Sequence, residues 1–250
     1  MNLILIYFAF KYKGDFIGIY NALKNKEIVE SSEIIDLEKK ILKDNLKIIT
    51  ILDDEYPNSL KIISNPPFVL FYKGNISLLQ KNSLCLVGDN ETDIVINYIN
   101  QAVKETSKNN VLTTNYFKGI EEKVVNFYLQ NEKEIIFVSP NGLEDPYFAN
   151  KISSSLSNLI ISEYPVGVNI NKKRLRERNR ITAGLSDALI IFSSKRESGI
   201  INLVSNFLEQ GKEIYCYPGI QDQSDGNNIL IKDGANLITS INDIRNEKMN

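Results

Sequence analysis

Residues 161–183 read ISEYPVGVNINKKRLRERNRITA. The segment joins the end of an apolar run to an acid, a Pro/Gly loop and a helix loaded with arginine. The run itself, Asn-Leu-Ile-Ile-Ser at 158–162, is short and apolar, as strands of parallel sheets buried on both faces are. Glu163-Tyr164-Pro165 ends it where an open α/β sheet places its ligand crevice, outside the carboxyl ends of the strands. The helix that follows carries Lys172, Lys173, Arg174, Arg176, Arg178 and Arg180 against one acid, Glu177. Arg174/Arg178 and Arg176/Arg180 are like-charged i,i+4 pairs, each costing roughly 0.2–0.5 kcal/mol unless an anion relieves it. A phosphate-bearing partner is the anion this pattern anticipates.

On both sides of this segment the chain alternates. Strands are predicted at 84–87, 111–114, 134–138, 158–162, 188–192 and 213–217, with a short one at 236–238. Helices are predicted between them at 93–108, 120–131, 149–156, 173–185 and 200–210, with another at 227–232. Short strands separated by longer helices are the βαβ signature. The expected class is α/β: an extended Rossmann-like, mostly parallel sheet with helices on both faces. Residues 1–45 read as a short helical appendage, with helical character at 21–26 and 32–44 and Ser31 or Ser32 able to cap the second stretch. A strand at 48–52 and an extended path forced by Pro66-Pro67 open the main domain, 46–250.

The chain has 250 residues, is 43% hydrophobic and carries a formal net charge of −2. It can bury a full core, and with no global basic field any nucleic-acid binding must come from local clusters. No run reaches the roughly 18 apolar residues that span a bilayer. The opening MNLILIYFAFKYKG lacks the charged start and small-residue cleavage site of a signal peptide, so a cytoplasmic protein with no membrane association is expected. Cys85 and Cys216 each lie in an apolar strand-like run and read as reduced core residues. Histidine is absent, which removes Ser-His-Asp and Cys-His catalysis and His-ligated zinc together. The adjacent acids Asp53/Asp54 and Glu121/Glu122 are poorly spaced to converge on one atom. The expectation is a non-enzyme with no catalytic residue, no metal and no cofactor.

SEYP at 162–165 followed by RNRITAGLS at 178–186 resembles the core of the DprA/Smf family, the bacterial DNA-processing proteins. Further similar pieces stand in the same order: YPNSLKIISNPPFVLFYKG (56–74), ESG (197–199), LEQGKEIYCYPG (208–219) and DGNNILIKDGA (225–235). The resemblance covers roughly residues 47–244 and implies single-stranded DNA binding, help in loading the RecA recombinase, and homodimers. Against that family the 1–45 segment is short, as a reduced helical domain would be.

Two loops depart from the family pattern. After its first core strand the family has Val-Gly, a small hydroxyl residue and an arginine; here Val87-Gly88-Asp89-Asn90-Glu91-Thr92-Asp93 puts acids in that place. Acids suit a helix N-terminus but repel a phosphate brought to the same point. In the second loop, Thr113 to Glu121, Gly119 and an acid match while the small residues and a histidine do not. Gly88, Gly119, Ser198 and Gly199 are the expected backbone of a ligand pocket, Ser198-Gly199 allowing close approach at a helix start. A third loop, NGLEDPYFAN at 141–150, matches the family more closely. Tyr147 and Phe148 beside Lys151 either stack bases, at roughly 1–3 kcal/mol each, or fill the space under the loop.

The candidate DNA-binding residues are therefore Arg174, Arg176, Arg178, Asn179, Arg180, Lys151, Tyr147, Phe148 and Lys195. Arg178 and Arg180 are two steps apart at ~100° each and cannot share a helix face. Arg178, with Arg174, is expected to meet phosphate, and Arg180 to brace the Glu163 carboxylate through a bidentate guanidinium. Two other readings stand beside this one: a nucleotide- or small-ligand-binding module, and a decayed paralogue kept for protein contacts.

Overall fold

The computed structural model describes residues 2–143, 157–219 and 225–244. It divides into two compact units, Met1–Gln80 with Ile136–Ile181, and Lys81–Ile135 with Thr182–Asn250. The units thus divide the chain at other places than residue 45. The predicted helix at 149–156 lies outside the described residues.

The first unit opens with helices α1 (Leu3–Lys11), α2 (Phe16–Lys24) and α3 (Ser31–Lys43). Each start is capped. Asn2 accepts from the Leu5 amide, Asp15 from the Gly18 amide, and Glu30 and Glu33 form a reciprocal capping box. The first helix was not predicted, because its LILIYFAF run is apolar on every side and shows no helical period. Burial explains it. Leu5, Ile6, Phe8 and Ala9 enter one core with Ile19, Ala22, Leu37 and Ile41, joined by Ile48, Val69 and Phe71. Those last three come from β1 (Lys47–Thr50) and β2 (Val69–Gly74), so the helices share a core with the sheet. A short helix α4 (Asn58–Lys61) lies between these strands in the chain. The strand order is β1-β2-β6-β5, with β5 (Ile135–Val138) and β6 (Leu159–Ser162) parallel and the other two pairings antiparallel.

The second unit is the doubly wound part. Its strands are β3 (Ser83–Gly88), β4 (Val111–Thr114), β7 (Ala188–Ser193), β8 (Glu213–Cys216) and β9 (Asn236–Leu237), in the order β4-β3-β7-β8-β9. The pairings of β3 with β4 and β7, of β7 with β8 and of β8 with β9 are all parallel. The expected α/β class, with a mostly parallel sheet, is what the chain adopts. Its helices are α5 (Asp93–Asn109), α6 (Ile120–Gln130), α8 (Ile200–Glu209) and α9 (Asn227–Lys232); α7 (Lys172–Leu185) bridges the sequence between β6 and β7. From β3 the chain moves to β4 on one side and later returns as β7 on the other. That reversal opens a crevice at the strands' carboxyl ends. Cys85 and Cys216 are reduced thiols, buried in the core that Phe207, Leu189 and Ile191 share.

Buried tyrosines and a buried thiol in this unit make the protein sensitive to alkali. Burial pushes the Tyr128 and Tyr217 hydroxyls up to about 12 from 10.0, and the Cys216 thiol up to about 12 from 9.0. A raised acid pKa favours the neutral, folded form, so this stability is fully present below pH ~9 and is lost as pH climbs towards ~12. The slope should reach about 1.4 kcal/mol per pH unit for each group that ionises only on unfolding. Urea midpoints measured from pH 8 to pH 11 should be level at first and then fall; midpoints flat across the range would contradict it.

Candidate nucleic-acid interface

Helix α7 starts on Asn171, whose side chain accepts from the Arg174 amide at 2.9 Å. It ends on Lys212, whose ammonium donates to the carbonyls of Ala183, Gly184 and Ser186. A cation on the last carbonyls satisfies both the orphan acceptors and the helix dipole. Between these ends the basic side chains divide by face. Lys172, Lys173 and Arg176 are exposed, Arg174 is half-buried, and Arg178 and Asn179 are buried at 2% and 6% exposure.

Arg180 reaches the acid as anticipated. Its Nη1 and Nη2 donate to the two Glu163 oxygens at 2.7 and 2.5 Å, and Nε donates to the Asn65 carbonyl at 2.9 Å. Nη1 also donates to the Glu177 carbonyl at 2.7 Å. The bridge is nearly dry, with 11% and 4% of the two side chains exposed. Burial opposes the guanidinium charge, but the Glu163 carboxylate outweighs it and holds the Arg180 pKa above its ordinary value.

Arg178 does not face solvent, and this corrects the expectation that it meets phosphate. Its Nη1 donates to the Val138 carbonyl at 3.3 Å, at the end of β5. Two of the clustered arginines are therefore held by protein acceptors, and the like-charge argument for an outside anion does not apply to them. Arg174 gives Nη1 to the Asn169 carbonyl and lies 5.2 Å from the Tyr164 ring centroid, a cation–π contact. Lys173 meets Asp15 and Glu177, each at 3.4 Å. Among the described residues, Lys172 and Arg176 have no ion-pair partner.

The adjoining turns are fixed by Ser162, which the sequence placed in the SEYP motif without giving it a role. Its hydroxyl accepts from the amides of Gly142 and Tyr164 at 3.0 and 3.1 Å and donates to the Ser139 carbonyl at 3.0 Å. Tyr147, Phe148 and Lys151 lie outside the described residues.

In the second unit the expected pocket backbone is largely occupied. A Cβ on Gly88 would meet Ile120 Cδ1 at 2.6 Å, so that space belongs to a core side chain. Gly119 adopts φ +96° as the N-cap of α6, a conformation that requires glycine, and the Glu91 carboxylate stands beside it. Ser198 accepts from the Ile200 amide at 3.0 Å, a local turn just before α8. Gly199 has ordinary helical angles with open space beside it, so the close approach expected there is not made. Glu121 turns inward to accept from Thr114 Oγ1 and the Phe117 amide, both at 3.3 Å. The exposed Lys195 gives its backbone amide to the Asp89 carboxylate at 2.9 Å. Beside it a cleft of about 400 Å³ opens at the ends of β3, β7 and β8. Among the described residues no helix is long and apolar enough to cross a membrane, and no three His, Cys, Asp or Glu side chains converge as a metal set.

Comparison with known proteins places this arrangement. The model of the family "DNA recombination-mediator protein A" matches residues 47–249. DNA processing protein DprA of Streptococcus pneumoniae is 33% identical over 78% of this chain and 72% of that protein. DprA of Bacillus subtilis is 31% identical over 81% of this chain and 71% of its own length. The crystal structure of the S. pneumoniae protein superposes with a TM-score of 0.75 at 26% identity, covering 97% of this chain and 92% of that one. DNA processing protein A of Helicobacter pylori, whose structure was described for its single-stranded DNA binding mode, gives a TM-score of 0.67 at 24% identity over 79% of this chain and 93% of that one. With a basic helix start after β6 in one unit, a doubly wound parallel sheet in the other, and the family's motifs in order along both, the chain belongs to the DNA recombination-mediator protein A family, the DprA/Smf proteins.

Proposed function

We propose that this protein binds single-stranded DNA through the first turns of α7 and acts as a recombination mediator, helping to load a RecA-type recombinase during DNA uptake or recombination. It does so as a homodimer and without covalent chemistry. The observation that carries the reading is the pair of exposed cations Lys172 and Arg176, without an ion-pair partner among the described residues and with half-buried Arg174 between them, in a chain of this family. The H. pylori neighbour, described as binding single-stranded DNA, supports the choice of ligand. Lys172 and Arg176 are four residues apart and share a face, so two successive phosphates of a flexible strand can follow it.

Fluorescence titration with an oligonucleotide and its duplex should show tighter binding of the single strand and little sequence preference. Affinity should fall with salt at a slope of about 0.7 per phosphate neutralised. Replacing Lys172 and Arg176 together by alanine should lower that slope by about 1.4, since two phosphate contacts are lost. An absence of binding at low salt, or a slope the double variant leaves unchanged, removes this face from the interface.

A further inference from the structure

The second helix carries a feature that the phosphate contacts of α7 leave unused. Phe16, Ile17, Tyr20 and Lys24 fall within an arc of ~100° on α2, while the buried Ile19 and Ala22 hold its other side to the core. On the outer side three rings form a column. Phe16 lies 5.1 Å from Phe68 at 12° and 6.0 Å from Tyr20 at 15°, so the rings are close to parallel. One end of the column is rooted. Phe68 packs on the core of the first unit, and its carbonyl accepts from the Ile51 amide at 3.0 Å. At the other end Tyr20 is 47% exposed, beside the exposed Ile17.

A half-exposed ring that ends a parallel stack has the geometry on which a flat aromatic ligand continues the stack. Phe16 already holds the ring in place, so little side-chain freedom is lost on binding. Apolar patches rimmed by polar residues mark interaction surfaces.

The surrounding charge decides the kind of ligand. From 13 to 26 the chain carries the exposed Lys13, Lys24 and Lys26 against one acid, Asp15. That acid accepts from the Gly18 amide, as the cap of α2, and meets Lys173 at 3.4 Å. A rim of lysines around exposed rings suits a polyanion that carries bases.

The Lys173 contact also fixes the place. Lys173 and Arg176 are neighbours at i,i+3 on α7, and Phe16, the middle ring, follows Asp15 directly. A Cβ on Gly14, just before Asp15, would meet the Glu163 carbonyl oxygen at 2.5 Å. The start of α2 therefore abuts both the SEYP turn and the start of α7, all within the first unit. Tyr20 stands five residues beyond Asp15, about 7.5 Å along the helix axis.

We propose that Tyr20 is a stacking platform for a base of the single strand whose phosphates α7 holds. The base continues the Phe68–Phe16–Tyr20 column, with its edge over Ile17. This inference rests on the reading of α7 as the phosphate-binding face.

The chain has no tryptophan, so Tyr20→Trp places a single reporter at the end of the column. A thymidine oligonucleotide should quench its fluorescence, and an abasic oligonucleotide of the same length should not. Tyr20→Ala, its fold checked by circular dichroism, should bind the thymidine strand at least about fivefold more weakly. The salt slope should stay the same, because no phosphate contact is lost. Tyr20→Phe, which keeps the ring, should restore most of that loss, and Tyr20→Ala should not weaken binding of the abasic strand. An unquenched tryptophan overturns the platform. So does a Tyr20→Ala protein that binds like the wild type or loses both strands equally. A loss of binding that accompanies a change of oligomeric state on gel filtration also overturns it, and gives the patch to a second copy of the chain. These failures are distinct from failure at α7. If the platform alone is wrong, the wild type binds and replacing Lys172 and Arg176 by alanine still lowers the salt slope. If the α7 face alone is wrong, that double variant keeps the wild-type slope while the tryptophan at 20 is quenched. No binding of either strand at low salt overturns both.

Discussion

Replacing Arg180 by alanine should destabilise the protein by about 3–5 kcal/mol, because it removes one partner of a buried ion pair and leaves the other charge without it. The stranded group is Glu163, whose side chain is 4% exposed and which accepts two hydrogen bonds from this one guanidinium. The same guanidinium also serves the carbonyls of Asn65 and Glu177, so three segments of the first unit lose a common donor. At roughly 2–4 °C per kcal/mol for a chain of this size, the melting temperature should fall by roughly 10 °C. The single variant Glu163→Ala should be costly too, since it takes the carboxylate away from a buried guanidinium. The double variant Arg180→Ala with Glu163→Ala should then lose clearly less than the sum, as coupled groups do. Replacing the pair by methionine and leucine should recover most of the loss, since well-filled apolar pairs often match buried ion pairs. An Arg180→Ala protein melting within about 1 kcal/mol of the wild type would mean that the bridge contributes little in solution.

That Arg180 meets an acid at the end of β6 was legible in the sequence; that Arg178 is buried was not. The helix period places two residues separated by ~200° on different faces, but it does not say which face is turned inward. The deciding group is the Val138 carbonyl, 40 positions away in the chain. The same holds at the other end of α7, where the ammonium of Lys212 reaches back 26–29 positions to the last carbonyls. In the loop after β3 the acids were legible as hostile to phosphate. That the Asp89 and Asn90 amides bond the carbonyl and hydroxyl of Ser193 was not, because Ser193 is about a hundred residues further on. Among the described residues, the alternation of strands and helices from 84 to 217 was readable for the opposite reason: each element's period and stops are local. Helix α1 was missed because an apolar run without period fits a strand or a helix equally well, and only the shared core with α2, α3, β1 and β2 settles it.

The burial of Arg178 leads to a second large effect, in the opposite sense to the one its motif suggests. With 2% exposure the guanidinium is inaccessible to a phosphate, while its stem fills space between α7 and the end of β5. Arg178→Ala removes that volume and the donor to Val138, so its cost combines a cavity with a lost charged hydrogen bond, about 2–4 kcal/mol together. Arg178→Met keeps most of the stem and loses mainly the donor, so it should recover part of the deficit. Neither change should alter single-stranded DNA affinity by more than about twofold when only the folded fraction is counted, since 1.4 kcal/mol corresponds to tenfold and no phosphate contact is removed. Arg176→Ala supplies the contrast on the same helix: it should weaken binding and lower the salt slope by about 0.7 with the melting temperature almost unchanged. Thermal melts and DNA titrations of the three variants decide between the two roles. Should Arg178→Ala melt with the wild type yet lose DNA affinity, the guanidinium must leave its buried seat to reach the phosphate, and the assignment of Lys172 and Arg176 as the contacting face would have to give way to one in which α7 shifts on binding.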